Sequence, residues 1–152
     1  MVKRGSLRVL RWCVGMLALA AISPASGAPI NDPRGTWLTA NGQGVIEIAP
    51  CGDALCGRIV GIVRGPDEPM PTDVAGRPQC GLTIITDEKP DGDGTWLGHV
   101  IDPRDGGKYQ AKIWLDENGN LRLRGFIGIP ALGSTQTWRK FTGRLASECR
   151  LA

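Results

Sequence analysis

No stretch of this chain longer than a few residues carries the roughly 3.6-residue apolar period of a helix, and that removes most architectures at once. Glycine and proline, 22 and 11 in 152 residues, interrupt it throughout. Between them lie short runs rich in Val, Ile, Thr and Trp, residues that suit a pleated, half-buried surface. Eight runs read as strands: Gly35 to Thr39, Gly44 to Ala49, Gly57 to Val63, Gly81 to Thr86, Thr95 to Ile101, Lys108 to Leu115, Asn120 to Ile127 and Thr135 to Phe141. Glu117-Asn118-Gly119 is a hairpin signal. Asp102 to Gly107 and Asp87 to Gly94 read as turns of Asp, Pro and Gly, and Arg64 to Gln79 as a long irregular loop.

Side-chain alternation then sets the architecture. Tyr109, Ala111, Ile113 and Leu115 share one face of the sixth strand; Gln110, Lys112 and Trp114 share the other. On the seventh, Leu121, Leu123, Gly125 and Ile127 oppose Arg122, Arg124 and Phe126. One apolar and one mixed face describe an antiparallel sheet wrapped around a core. Eight sequential strands with mostly short connections predict an all-β, eight-stranded up-and-down antiparallel barrel, which closes its own edges. An open sandwich is the competing arrangement.

The N-terminus reads as a secretory signal. Lys3, Arg4, Arg8 and Arg11 precede an uncharged apolar run, Trp12 to Ile22, and then Ser23-Pro24-Ala25-Ser26-Gly27-Ala28. The run is too short to cross a bilayer, which takes about 20 residues in a helix. The expected organisation is a signal peptide over residues 1–28, cut between 25 and 28, and a single barrel domain over 29–152. The expected location is periplasmic or secreted, with no membrane span in the mature chain. Four of the 18 basic residues lie in the signal, leaving 14 against 15 acidic ones. That near-neutral balance offers no footprint for nucleic acid.

Beyond the signal the cysteines are Cys51, Cys56, Cys80 and Cys149. An even number in an exported chain predicts disulfides. Cys51 and Cys56 flank a tight connection, and Cys80 with Cys149 follows by elimination. Zinc is disfavoured, because the spacings are not C-x2-C pairs and the one histidine, His99, is far from every cysteine. Asp87, Glu88, Asp91 and Asp93 supply oxygens but read better as a solvated acidic turn than as a calcium loop. No metal or cofactor is expected.

Catalysis is disfavoured too. Any Ser-His-Asp or Cys-His mechanism must use His99, no G-x-S-x-G elbow exists, and oxidised cysteines lack a thiolate. No catalytic residues are assigned. The candidate ligand-binding residues are Tyr109, Arg124, Trp138 and His99. Pointing inward, such residues line a pocket; pointing outward, aromatic and arginine residues make a protein-binding face. A register error of one residue exchanges the two cases.

Gly35-Thr36-Trp37 near the mature N-terminus resembles the opening of the lipocalin and avidin barrels. In those barrels the tryptophan plugs one end and an arginine of the last strand covers its ring. The resemblance implies a structural pair of Trp37 and Arg139, with Lys140 as the lesser alternative. A longer pattern is more specific. Gly35-Thr36-Trp37, Ile46-Glu47-Ile48, Leu55-Cys56-Gly57-Arg58-Ile59-Val60, Asp102-Pro103, Gly107-Lys108-Tyr109, Leu121 to Gly128 and Leu132 to Arg139 occur in order. Together they resemble the domain of unknown function 2147 family over about Asp32 to Phe141. That resemblance implies an exported bacterial protein with a lipocalin-like barrel. The function expected is non-catalytic binding of a small, mostly apolar molecule. The alternative is a filled barrel that docks on an envelope protein.

Overall fold

The structure is a computed structural model that describes residues 31–151. The expected signal over 1–28 lies outside the described residues. Eight strands follow one another: β1 (Gly35–Leu38), β2 (Gly44–Cys51), β3 (Ala54–Ile62), β4 (Thr83–Pro90), β5 (Trp96–Ile101), β6 (Lys108–Leu115), β7 (Leu121–Phe126) and β8 (Ser134–Lys140). Each pairs antiparallel with the next, and β1 pairs with β8, so the sheet closes into an up-and-down barrel. Closure removes every strand edge.

The strand bounds shift most from expectation at the β2–β3 hairpin and along β4. β2 and β3 run into their shared hairpin as far as Cys51 and Ala54, leaving a turn of Gly52 and Asp53. β4 continues through Asp87, Glu88 and Lys89, which had read as a turn. It does so by a bulge between Thr86 and Lys89, with Asp87 at φ 60. The bulge needs Gly98 beside it: a Cβ there would lie 2.5 Å from the Thr86 carbonyl oxygen.

The connections alternate between two ends. The floor carries the β2–β3, β4–β5 and β6–β7 turns. The mouth carries the loops after β1, β3, β5 and β7. Inside, an apolar cluster fills the floor half, with Trp37, Ile48, Ile85, Ile113 and Leu121 almost fully buried. Segment 31–34 crosses beneath it. The Trp37 indole N–H donates to the Pro33 carbonyl at 2.8 Å, and that of Trp96 to the Asn31 carbonyl at 3.3 Å.

Both disulfides are formed. Cys51–Cys56 ties the β2–β3 hairpin at the floor, with Cα atoms 5.8 Å apart. Cys80–Cys149, at 5.7 Å, holds the C-terminal tail to the long loop after β3. The tail also pairs with β3 through Ile62 and Arg150. No helix among the described residues is long and apolar enough to cross a membrane.

Candidate functional site

The mouth half of the barrel is hollow. A cavity of 690 Å³ opens between the loops, with Ile46, Ile59, Ile84, Val100, Leu123 and Trp138 forming its apolar wall. That volume is within the range of small-molecule pockets, roughly 300–1,000 Å³. The hollow follows from residue choice. Gly125, Ser134 and Gln136 occupy the inward positions of β7 and β8 near the mouth, where the same strands carry Leu121 and Trp138 lower down. The Gln136 side-chain oxygen accepts the Trp138 indole N–H at 2.9 Å, which fixes both groups. Tyr109 lines the cavity from the neighbouring strand β6, its Cβ 4.0 Å from where a Cβ on Gly125 would lie.

Charge is confined to the rim. Asp102 and Arg104, on the β5–β6 turn, bind each other: Arg104 Nε donates to Asp102 Oδ1 at 2.9 Å, and its terminal nitrogen to Oδ2. The Arg104 guanidinium holds the Asp102 carboxyl below the usual carboxylate range. The loop that follows β3 reaches this rim, because the Val74 N–H donates to the Pro103 carbonyl at 3.0 Å and Gln79 lines the opening.

The structure separates the four candidate ligand residues. Tyr109 and Trp138 line the cavity. Arg124 does not. It alternates with Leu123 and Gly125 and faces outward, where it donates to the carbonyls of Pro130 and Ala131 and to the Thr135 hydroxyl. Its role is to clamp the β7–β8 loop. His99 is also outside the cavity, on the outer face of β5 opposite Gln110. Its Nδ1 lies 3.9 Å from Asp87 Oδ2, and it borders a shallow outer depression with Lys108 and Phe126.

The cation over Trp37 also differs from expectation. Lys140 holds it, with Nζ 4.6 Å from the ring centroid. Register is the reason: Lys140 pairs with Trp37 across β8 and β1, whereas Arg139 pairs with Leu38 and points to solvent. Gly35 makes room, since a Cβ there would come within 2.5 Å of Lys140 Nζ; its φ of +132 also suits glycine alone.

One residue of the acidic run expected to be a solvated turn is not solvated. Glu88 is completely buried, and neither carboxylate oxygen has a hydrogen-bond partner among the described residues. It pairs with Leu55 on β3, so it enters the apolar floor half while Asp87 and Lys89 face out. Burial first, and the nearby Asp87 second, push its carboxyl up to about 8. The acidic cluster around it is dispersed: Asp91 pairs with Lys112 at 3.0 Å. Among the described residues no group of three or more His, Cys, Asp or Glu side chains is placed to hold a metal ion.

Comparison with known proteins agrees with this architecture. Among solved structures, the chain is similar to HP1028 from the human pathogen Helicobacter pylori, described as belonging to the lipocalin family. The TM-score is 0.62 at 15% identity, over 73% of this chain and 84% of that one. A likeness at that identity speaks for the fold. Comparison with curated proteins found no match. The family described as an uncharacterized protein conserved in bacteria, DUF2147, matches residues 35–140, which takes in every strand of the barrel. Two disulfides in a bacterial family fit an oxidising compartment. By that match, this chain belongs to the DUF2147 family.

Proposed function

We propose that the protein is a non-catalytic, extracytoplasmic binder of a small, mostly apolar molecule, held in the mouth half of the barrel. The observation that carries this reading is the 690 Å³ cavity with an apolar wall and a few neutral polar groups. An eight-stranded barrel is wide enough to be filled by its own side chains or to hold one small ligand. Here the floor half is filled and the mouth half is not. The non-catalytic part is supported by the placement of His99, the one histidine, on the outer face away from the cavity. Export is supported by the charged, apolar and small-residue order of residues 1–28 and by the two disulfides.

Native mass spectrometry of protein purified gently from its own compartment tests the reading. The expected spectrum holds a species heavier by the mass of a small molecule, lost on organic extraction. Gly125→Leu should remove that species, because Gly125 lines the cavity and a Cβ there meets only ordinary van der Waals contacts, Val100 Cγ1 at 3.7 Å and Tyr109 Cβ at 4.0 Å. A bare mass for the native protein, with no uptake of an apolar fluorophore, would refute it. Deleting Met1 to Ile22 should leave the chain in the cytoplasm; export of the truncated chain would refute the signal.

A second reading, docking on an envelope protein, is favoured by one feature. Ile127, Ile129 and Leu132 are 72%, 56% and 79% exposed on the β7–β8 loop beside the mouth. Phe126 and Arg124 add nothing to such a face: Phe126 is buried and Arg124 is engaged with its own loop. Leu132→Asp should weaken capture of a partner by crosslinking in intact cells, while leaving the bound small molecule in place.

A further inference from the structure

We infer that the cavity takes an uncharged amphiphile, a molecule with an apolar tail and a neutral hydrogen-bonding head such as an alcohol, ester or amide, and disfavours ionic amphiphiles of the same length. This rests on the cavity being the binding site.

The charge pattern is the first support. Asp102 and Arg104 are the only charged residues along the cavity wall among the described residues, and they are spent on each other. The Arg104 side chain is 84% exposed, so its field is screened by water as well as cancelled by Asp102. A carboxylate that entered head first would lose its hydration and meet no free cation. One that entered tail first would rest its head at the rim, where the paired Asp102 and Arg104 offer no net charge to hold it. An ammonium head meets the same neutral pair.

The hydrogen-bonding groups are the second support. Gln136 is oriented by the Trp138 indole, which takes its amide oxygen and leaves the amide N–H groups to donate. Tyr109 and Ser134 add hydroxyls that donate or accept. These three sit on strands rather than loops, so their positions are set by the barrel. Neutral donors and acceptors on an apolar wall match a neutral polar head, and burying them against a head that cannot bond would cost affinity.

Calorimetric titration of the full chain with decanol, decanoate and decylammonium at neutral pH tests the inference. Decanol should bind about tenfold tighter than either ion, the order expected when a charge is desolvated without a partner. Equal or tighter binding of either ion overturns the inference and leaves the cavity as the binding site. Binding of none of the three overturns the reading of the cavity itself. Asp102→Asn supplies the second arm. It keeps the side-chain oxygen that accepts the Arg104 backbone N–H and removes the charge that cancels the guanidinium. The ratio of decanoate to decanol affinity should then rise about threefold and fall back in high salt. An unchanged ratio overturns the part given to the ion pair.

Discussion

At the floor of the barrel Trp37 is 1% exposed, with segment 31–34 crossing beneath it. At the mouth Ser134 and Gln136 face inward and remain open to solvent. Both ends are built from the same eight strands. The hollow is therefore no failure of the fold to pack, since the same strands bury Ile85 and Ile113 completely. It comes from which residues stand at the inward positions: Trp, Ile and Leu low in the barrel, Gly, Ser and Gln high in β7 and β8. Such a division lets stability reside at one end and binding at the other, and variants at each end test whether it does.

The largest effect belongs to the floor. Trp37→Ala should destabilise by about 3–5 kcal/mol in denaturant unfolding, the range for a buried aromatic cut back to a methyl. Its counterpart at the mouth, Gly125→Leu, extends from the cavity wall without a close clash at Cβ and should change stability by no more than about 1 kcal/mol. Comparable losses from the two would break the division. The disulfides extend the contrast with the opposite polarity. Cys80–Cys149, which secures the loop at the mouth, spans 69 residues, and its removal by paired serine substitution should cost about 4 kcal/mol on the chain-entropy model. Cys51–Cys56 at the floor spans 5, and its removal should cost only about 2 kcal/mol. Equal shifts in unfolding midpoint would mean that loop length does not govern them.

Glu88 is a polar intrusion into the floor. Its carboxyl titrates near 4.5 when unfolded and is raised to about 8 when folded. Between those values the folded state holds the proton that the unfolded state releases, so stability falls as pH rises from about 4.5 to about 8 and then levels. Glu88→Gln cannot ionise and should flatten that slope. Glu88→Met also removes the unpaired buried oxygens and should stabilise by about 1–3 kcal/mol at neutral pH. Parallel stability curves for wild type and Glu88→Gln across that window would show that the carboxyl is not proton-linked to folding.

How far these features were legible depends on whether alternation survived. On β6 and β7 it did: Tyr109, Ala111 and Ile113 face in, and Arg122 and Arg124 face out. The barrel and its strand order could be read from such runs, and both cysteine pairs from their even number, the tight Cys51–Cys56 connection and elimination. Where a bulge shifts the period, the reading failed. Asp87-Glu88-Lys89-Pro90 has the composition of a turn, and nothing in it marks Glu88 as the residue that turns inward after a positive φ at Asp87. The cavity was legible only as a set of residues. Inward Tyr109 and Trp138 were named, but Gln136 was not, because a lone glutamine between threonines looks like a solvent position until β8 is placed against β7. The structure places His99 and Arg124 outside the cavity, because each stands one residue from an inward position.

The smallest effect tests the closure of the floor at one contact. β1 and β8 meet through only two residue pairs, Trp37 with Lys140 and Leu38 with Arg139. The ammonium of Lys140 lies over the indole face and also reaches the Arg34 carbonyl at 3.5 Å. A cation over an aromatic at an exposed site contributes about 0.5–1 kcal/mol. A double-mutant cycle with Trp37→Leu and Lys140→Met should therefore return a coupling of about that size, since both changes keep apolar bulk and only the cation–ring term is shared. The parallel cycle with Arg139→Met should return a coupling near zero, because Arg139 faces solvent. Salt separates the two terms at Lys140: charge over the ring is screened, while contact of the stem with the indole is not. A larger coupling for Arg139 than for Lys140 would shift the β1–β8 register by one residue. It would then reassign the inward positions of β8, and with them Gln136 and Trp138 in the wall of the cavity.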